Sequence, residues 1–253
     1  LISLISFLFC ISSCSTTKTE QNTVYQISTI NALLEGVYDG TMTYGKLKKY
    51  GNFGIGTFNA LDGEMICVNA NFYQIKSDGK VYHVKDSTKT PFAVVTRFNP
   101  DKSYNLNNVE DYDLLQKKIK AKLPTTNIFY AIKIKGKFSY IKTRSVPRQN
   151  KPYPPLVQVV KNQPTFEYNN ISGTIIGFWC PSYVKGINVT GFHFHFIDDA
   201  KKVGGHLLKI KIDRANMKIQ YLTNFHMILP DKENFFNVNL SGDRERDIHR
   251  VER

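Results

Sequence analysis

The sequence predicts a mixed α/β protein of the α+β type, with a mixed β-sheet and helices in its N-terminal half and a β-barrel-like C-terminal half. Three observations carry this expectation. Fourteen Tyr and seventeen Phe, alongside many Val and Ile, favour strands. The helical patterns all lie before residue 165, and from Thr165 onward the chain alternates almost wholly like strand. With 253 residues and 42% hydrophobic content, the chain can build one large domain or two small ones around a real core.

The chain opens with LISLISFLFCISSCSTTKTEQ and has no starting Met, so an upstream start is expected. Residues 1–11 are apolar and uncharged, about the length of a signal-peptide core and too short to span a bilayer. The run ISSC, Ile11–Cys14, resembles a bacterial lipobox: an aliphatic residue, two small ones, then the cysteine that takes the lipid. Cys10 fits that box poorly, because bulky Phe9 precedes it. Residues 1–13 are therefore expected to be a lipoprotein signal peptide, and residues 14–24 a polar tether lipid-anchored through Cys14. The protein would be an exported bacterial lipoprotein, held on a membrane outside the cytoplasm; a generic secretory signal is the alternative. Cys67 and Cys180 both sit in apolar, strand-like runs and are expected to be buried thiols.

STINALLEGVYDG, Ser28–Gly40, reads as a short helix with a Ser or Thr N-cap, and YGKLKKYG as another brief turn. Residues 54–84 read as a meander with turns at LDGE and SDGK. TPFAVVTRF is a short apolar segment. NVEDYDLLQKKIKAKL, Asn108–Leu123, is the strongest helix pattern, acids early and lysines late, matching the macrodipole. NIFYAIKIKGKFSYIKTRSV reads as a hairpin turning at Gly136. The proline-rich PRQNKPYPPL is the best internal boundary, dividing a mixed-sheet half, 25–150, from a β-rich metal-binding half with a C-terminal tail, 151–253. PPLVQVVKNQP is a short helix, after which strands follow with tight turns.

The formal charge of +13 raises nucleic-acid binding, but the basic residues lie in short scattered groups with no nucleic-acid signature, so no nucleic-acid partner is expected. An anionic membrane surface or an anionic substrate accounts for the sign equally well.

Three of the six histidines fall within GFHFHFIDDAKKVGGH, residues 191–206. Residues two apart on a strand share a face, so His193 and His195 project together, opposite Phe192, Phe194 and Phe196. The DDAKKVGG turn can return His206 beside them. Three converging imidazoles suit Zn²⁺ or a similar divalent ion with coordination positions left open. Cupins carry H-x-H with a Glu soon after, where this chain has Asp198 and Asp199; β-rich carbonic anhydrases space the third His about twice as far. Neither pattern fits.

Longer segments carry a closer likeness. YQISTINALLEGVYDGTMTYGKLKKYGNFGIGTFNALDGEM, KTPFAVVTRF, YAIKIKGKFSYIKTRSVPRQNKPYPPL and GFHFHFIDDAKKVGGH together resemble the α-acetolactate decarboxylases, over residues 25–239. The resemblance implies a two-part α/β fold and a homodimer. It implies a zinc carboxy-lyase that converts (S)-2-acetolactate to (R)-acetoin and CO₂, with Zn²⁺ as Lewis acid stabilising an enediolate. It also implies His193, His195 and His206 as metal ligands, and Glu64, Arg144 and a C-terminal glutamate as site residues. Glu252 in IHRVER is the match for that last acid, with Glu245 as the fallback. Two alternatives stay open: another metal-dependent lyase or hydrolase on this scaffold, and a non-catalytic surface lipoprotein that binds metal or ligand.

Overall fold

The computed structural model describes residues 21–252, so the expected signal peptide, Cys10 and Cys14 lie outside the described residues. The strands in chain order are β1 (Thr23–Ile27), β2 (Met42–Thr43), β3 (Phe53–Thr57), β4 (Glu64–Val68), β5 (Asn71–Ile75), β6 (Val81–His83), β7 (Lys89–Thr90), β8 (Ala93–Thr96), β9 (Lys102–Val109), β10 (Phe129–Arg144), β11 (Thr165–Cys180), β12 (Gly191–Asp198), β13 (Gly204–Leu222) and β14 (Asn224–Ile228). The helices are α1 (Ile30–Leu34), α2 (Tyr44–Leu47), α3 (Tyr112–Lys120), α4 (Leu156–Val159), α5 (Glu233–Phe236) and α6 (Glu245–Glu252). The class is the mixed α+β one the sequence predicts.

Seven strands form one sheet in the order β14-β1-β8-β3-β4-β5-β6, antiparallel except where β1 runs parallel to β14. A second sheet holds β10, β11, β12, β13 and β9. Its pairings β10–β11, β11–β12, β12–β13 and β13–β10 run in a closed circuit, with β9 added along β13. Period-2 alternation sorts the side chains. Ile132, Ile134, Ile175, Phe194, Phe196, Met217 and Ile219 point into one core, which α3 covers with Leu115 and Ile119. Phe129, Ala131, Ile176, Phe178 and Ile197 take the opposite face and pack against Ile55, Ile66, Val68 and Ile75 of the first sheet. The first sheet's far side carries a smaller core with Tyr44 and Leu47 of α2. Cys67 and Cys180 are free, buried thiols, and burial pushes both pKa values up.

Several expectations need correction. The hairpin about Gly136 is one sixteen-residue strand, β10. Gly136 is there for close approach, since a Cβ would lie 2.4 Å from the Arg214 carbonyl oxygen and 2.5 Å from Ala215 Cβ. The helix expected over 108–123 is shorter: Asp111 caps it by accepting from Leu114 N at 2.7 Å, and Asn108 and Val109 close the polar strand β9. A turn at Asn69–Ala70, both at positive φ, divides what reads as one apolar run into β4 and β5. Strand β1 takes in Thr23 and Val24, which had fallen to the tether. The halves 25–150 and 151–253 do not coincide with the sheets, because β9 and β10 belong to the second sheet and β14 returns to the first. The polar tail forms a helix, α6, with Ile248 and Val251 buried.

Candidate active site

The site lies between the sheets. Arg144, the last residue of β10, pairs in register with His206 of β13, and His206 with His195 of β12. One cross-strand row thus carries a guanidinium and two imidazoles, with His193 two residues along on the same face. Gly205 makes this possible: at φ +139 it sets the entry to β13, and a Cβ would come within 2.4 Å of the Arg144 carbonyl oxygen. Asp198 fixes the preceding turn by accepting from the backbone N–H groups of Ala200, Lys202 and Val203.

Glu64 comes from the opposite sheet. It opens β4 on the face shared by Ile66 and Val68, toward the second sheet. Gly63 before it sits at φ +94, where a side chain would strike the Ile75 carbonyl. Glu252 closes α6 and reaches the same point from outside both sheets.

The three imidazoles converge. His193 Nε2 lies 3.2 Å from His195 Nε2 and 3.1 Å from His206 Nδ1. His195 Nδ1 donates to the Met65 carbonyl at 2.9 Å, which leaves its Nε2 lone pair facing inward. The His206 Nε2–H points at the Glu252 carbonyl, 3.4 Å away. Burial, and secondarily the charge of Arg144, pushes the His193 pKa down to about 3. His195 and His206 are held well below the usual range, by burial first. All three rings are neutral at pH 7, the state in which imidazole binds a metal.

Two carboxylates ring this cluster. Glu64 Oε2 is 3.5 Å from His195 Nε2, and Glu252 Oε2 is 3.6 Å from His193 Nε2 and 3.7 Å from His206 Nε2. Glu252 Oε2 is buried with no hydrogen-bond partner, a costly arrangement that a cation would relieve. A divalent ion therefore fits the donor set of three neutral nitrogens and an unsatisfied carboxylate oxygen. Burial raises the pKa of both Glu64 and Glu252 to about 7, with Arg144 pulling each the other way.

Arg144 is only 3% exposed; both of its Nη atoms are hydrogen-bonded, while its buried Nε has no partner. Its Nη1 donates to Glu64 Oε1 at 3.2 Å and to Gln163 Oε1 at 3.1 Å, and its Nη2 donates to the Val251 carbonyl at 2.5 Å. It links both sheets to the C-terminal helix. The cavity at this point measures about 40 Å³, and Ile30, Leu33, Leu61, Phe92 and Leu156 wall it on the apolar side.

The structure thus gathers Glu64, Arg144, His193, His195, His206 and Glu252 in one place. Glu245 stays outside, with Lys185 at 2.7 Å on the surface. His83 and His249 are exposed, and His226 packs against Tyr25 at a sheet edge. Sequence reasoning missed Gln163 and the carbonyls of Met65 and Val251. A lone Gln in a proline-rich connection and two backbone groups leave no residue-type signal.

A polar cluster of three imidazoles, two carboxylates and a guanidinium, walled by apolar side chains, has the make-up of a metal-assisted enzyme for a small acidic substrate. The family model described as alpha-acetolactate decarboxylase matches residues 24–242. The chain is 47% identical over 233 residues to the alpha-acetolactate decarboxylase of Methylococcus capsulatus, covering 92% of this chain and 90% of that one. It is 45% identical over 230 residues to that of Methanosarcina mazei, covering 91% and 80%. The crystal structure of alpha-acetolactate decarboxylase from Bacillus subtilis strain 168 superposes with a TM-score of 0.89 at 42% identity, over 91% of this chain and 99% of that one. This chain belongs to the alpha-acetolactate decarboxylase family, and it is a carboxy-lyase. The family match ends at residue 242, before α6.

Proposed function

We propose that the enzyme converts (S)-2-acetolactate to (R)-acetoin and CO₂ with a Zn²⁺ ion held by His193, His195 and His206. The observation that carries this reading is the convergence of three neutral imidazole nitrogens on one another, with a buried, unpartnered carboxylate oxygen of Glu252 3.6 Å from His193 Nε2. When bound, Zn²⁺ supplies Lewis acidity toward the hydroxyl and ketone oxygens of the substrate. The protein's own residues do the rest. Arg144 presents a fixed fork beside the imidazoles and steadies the substrate carboxylate and the charge that develops as CO₂ departs. Loss of CO₂ leaves an enediolate that needs one proton on one face of C2. Glu64 is placed to manage that proton, because it touches both Arg144 and His195 and its raised pKa keeps a protonated fraction near neutrality. Glu252 brings a second carboxyl, its pKa raised to the same degree, within 3.6–3.7 Å of His193 and His206. The apolar wall limits water, whose protons would arrive on either face.

The test is metal analysis joined to an acetolactate assay with chiral analysis of the acetoin. The expected result is stoichiometric zinc, loss of turnover on chelation and recovery with Zn²⁺. Full turnover by metal-free protein would overturn the metal assignment.

The same reading includes an exported lipoprotein anchored through Cys14, supported by the apolar run and the ISSC box. Cys14→Ala should escape lipoprotein processing and shift partition in detergent phase separation, with activity intact; unchanged membrane retention would point to another anchor. It also includes a homodimer, supported by the family resemblance and by the outer edge of β14, which has no strand partner among the described residues.

A further inference from the structure

The outer face of the second sheet has two parts. Near the first sheet it is apolar, with Phe129, Ala131, Ile176 and Phe178 covered. Farther along β10, β13 and β9 it emerges into the open and becomes cationic, while β11 stays buried as far as Thr174. The registers place the side chains in three rows across β11, β10, β13 and β9: Ile176, Lys133, Lys218, Ser103; then Thr174, Lys135, Asn216, Asn105; then Ser172, Lys137, Arg214, Asn107. None of these positions is an acid. Lys133 stands directly opposite Lys218, and Lys137 opposite Arg214, although like charges facing across a ladder destabilise a sheet. Lys135, Lys137, Lys218 and Arg214 are exposed, while Lys133 is half-buried and reaches Asn69 at 3.3 Å. Asp199 meets Lys135 at 3.2 Å from the rim, and Asp101 is engaged by the Tyr221 backbone N–H at the β13 end.

A second, independent observation says where this face points. Gln220 is two residues beyond Lys218 on the same face of β13, and its side chain donates to the Gln21 carbonyl at 2.7 Å. Gln21, seven positions after Cys14, therefore sits at the end of this face just beyond Lys218. The seven Cα-to-Cα steps from Cys14 to Gln21 span at most about 25 Å. The rows lie within about 20 Å of Gln220 along β13.

We infer that the face built from Lys133, Lys135, Lys137, Arg214 and Lys218 docks against an anionic bilayer surface. The orientation part of this inference rests on the lipid anchor at Cys14, whereas the binding part does not. Each cation brought within a Debye length of anionic headgroups strengthens binding by about fivefold. Exposed Ser103, Asn105 and Asn107 and half-buried Ser172 and Asn216 beside the cations suit polar headgroups, while Thr174 and Ile176 of β11 are buried. The anchor supplies one attachment and the face a second.

The experiment uses the full chain carrying Cys14→Ala, so that no lipid contributes, and vesicle co-sedimentation. Vesicles of phosphatidylcholine alone are compared with phosphatidylcholine mixed with phosphatidylglycerol. Binding should require phosphatidylglycerol and weaken steeply with salt. Changing Lys133, Lys135, Lys137, Arg214 and Lys218 to Gln should weaken it by at least about a hundredfold with decarboxylation unchanged. A second variant that spares half-buried Lys133 should lose most of the same binding. Lys46, Lys49, Lys117, Lys120 and Lys161, all exposed elsewhere, changed together to Gln, remove equal charge and should leave most of it. Equal losses in the two five-residue variants, no preference for phosphatidylglycerol, or tighter binding to duplex DNA than to anionic vesicles would each overturn the docking face. Lipid processing of the unsubstituted chain is scored separately: if Cys14 carries none but the face binds anionic vesicles, the anchor fails and the face stands.

Discussion

The β12–β13 hairpin and the α6 helix line the same cavity, but they are held there by different forces. The hairpin is specified locally. Alternation along β12 drives Phe194 and Phe196 into the core that α3 covers and turns His193 and His195 the other way, and burying each Phe contributes roughly 1.5–3 kcal/mol. Helix α6 has eight residues, too few to be stable alone. It is kept in place by the burial of Ile248 and Val251, by the Arg144–Val251 hydrogen bond, and by surface pairs such as Lys185 with Asp243 and Glu245 and Arg244 with Glu35. Exposed pairs of that kind contribute about 0–1 kcal/mol each. One wall is therefore a fixed plate of imidazoles and the other a docked element, so changes in the two should fail differently.

The largest effect is expected in the plate. His195→Ala removes one of three nitrogens and the ring anchored on Met65, and should strip both metal and turnover, lowering kcat/KM by about a thousandfold or more. Metal content and single-turnover decarboxylation measure it. Full zinc occupancy with normal turnover would contradict the site.

In the docked wall, Glu252→Gln keeps the shape and removes the charge. It should lower kcat by about a hundredfold with the thermal midpoint nearly unchanged, since Ile248 and Val251 still anchor the helix. Glu245→Gln touches only the exposed Lys185 pair and should leave kinetics as in the wild type. The reverse outcome would mean that α6 docks in another register.

Legibility in sequence follows the same division. His193, His195 and His206 could be read because strand period and a tight turn are short-range facts. Glu64 and Arg144 sit 80 residues apart and meet only because their sheets pack face to face, so residue chemistry alone left Glu64 indistinguishable from a solvated acid. For Glu252, polarity was misleading: HRVER reads as exposed tail, yet Val251 is buried and its carbonyl engages Arg144. Gly136 misled in the opposite way, because a glycine demanded by a neighbouring strand looks in sequence like a glycine demanded by a turn. The long strands were legible in composition, whereas the division of the chain between the sheets was not, since β9 and β14 are placed by pairing partners far away in sequence.

Arg144 joins the two walls, and Arg144→Lys asks whether charge suffices. Lysine can reach one of the three acceptors, Glu64, Gln163 or the Val251 carbonyl, but cannot span them as a planar fork. We expect kcat/KM to fall by at least about tenfold with zinc retained. Wild-type kinetics would reduce Arg144 to a structural charge.

The smallest effect is expected at Gln163, which separates positioning from chemistry. Its Oε1 accepts from Arg144 Nη1 at 3.1 Å and touches none of the histidines. It is partly exposed and lies between α4 and β11, outside both walls. Gln163→Ala removes one hydrogen bond to a charged group whose other acceptors remain, so kcat/KM should fall by about three- to tenfold, with the metal and the fold retained. A merely structural role would move the thermal midpoint and leave kinetics alone. Action through Arg144 moves kinetics and disappears when Arg144 is already lysine. In that cycle the double variant should be no slower than Arg144→Lys by itself. Additive losses would mean that Gln163 acts on the substrate directly, and wild-type kinetics in Gln163→Ala would leave Glu64 and the Val251 carbonyl as the groups that aim the guanidinium.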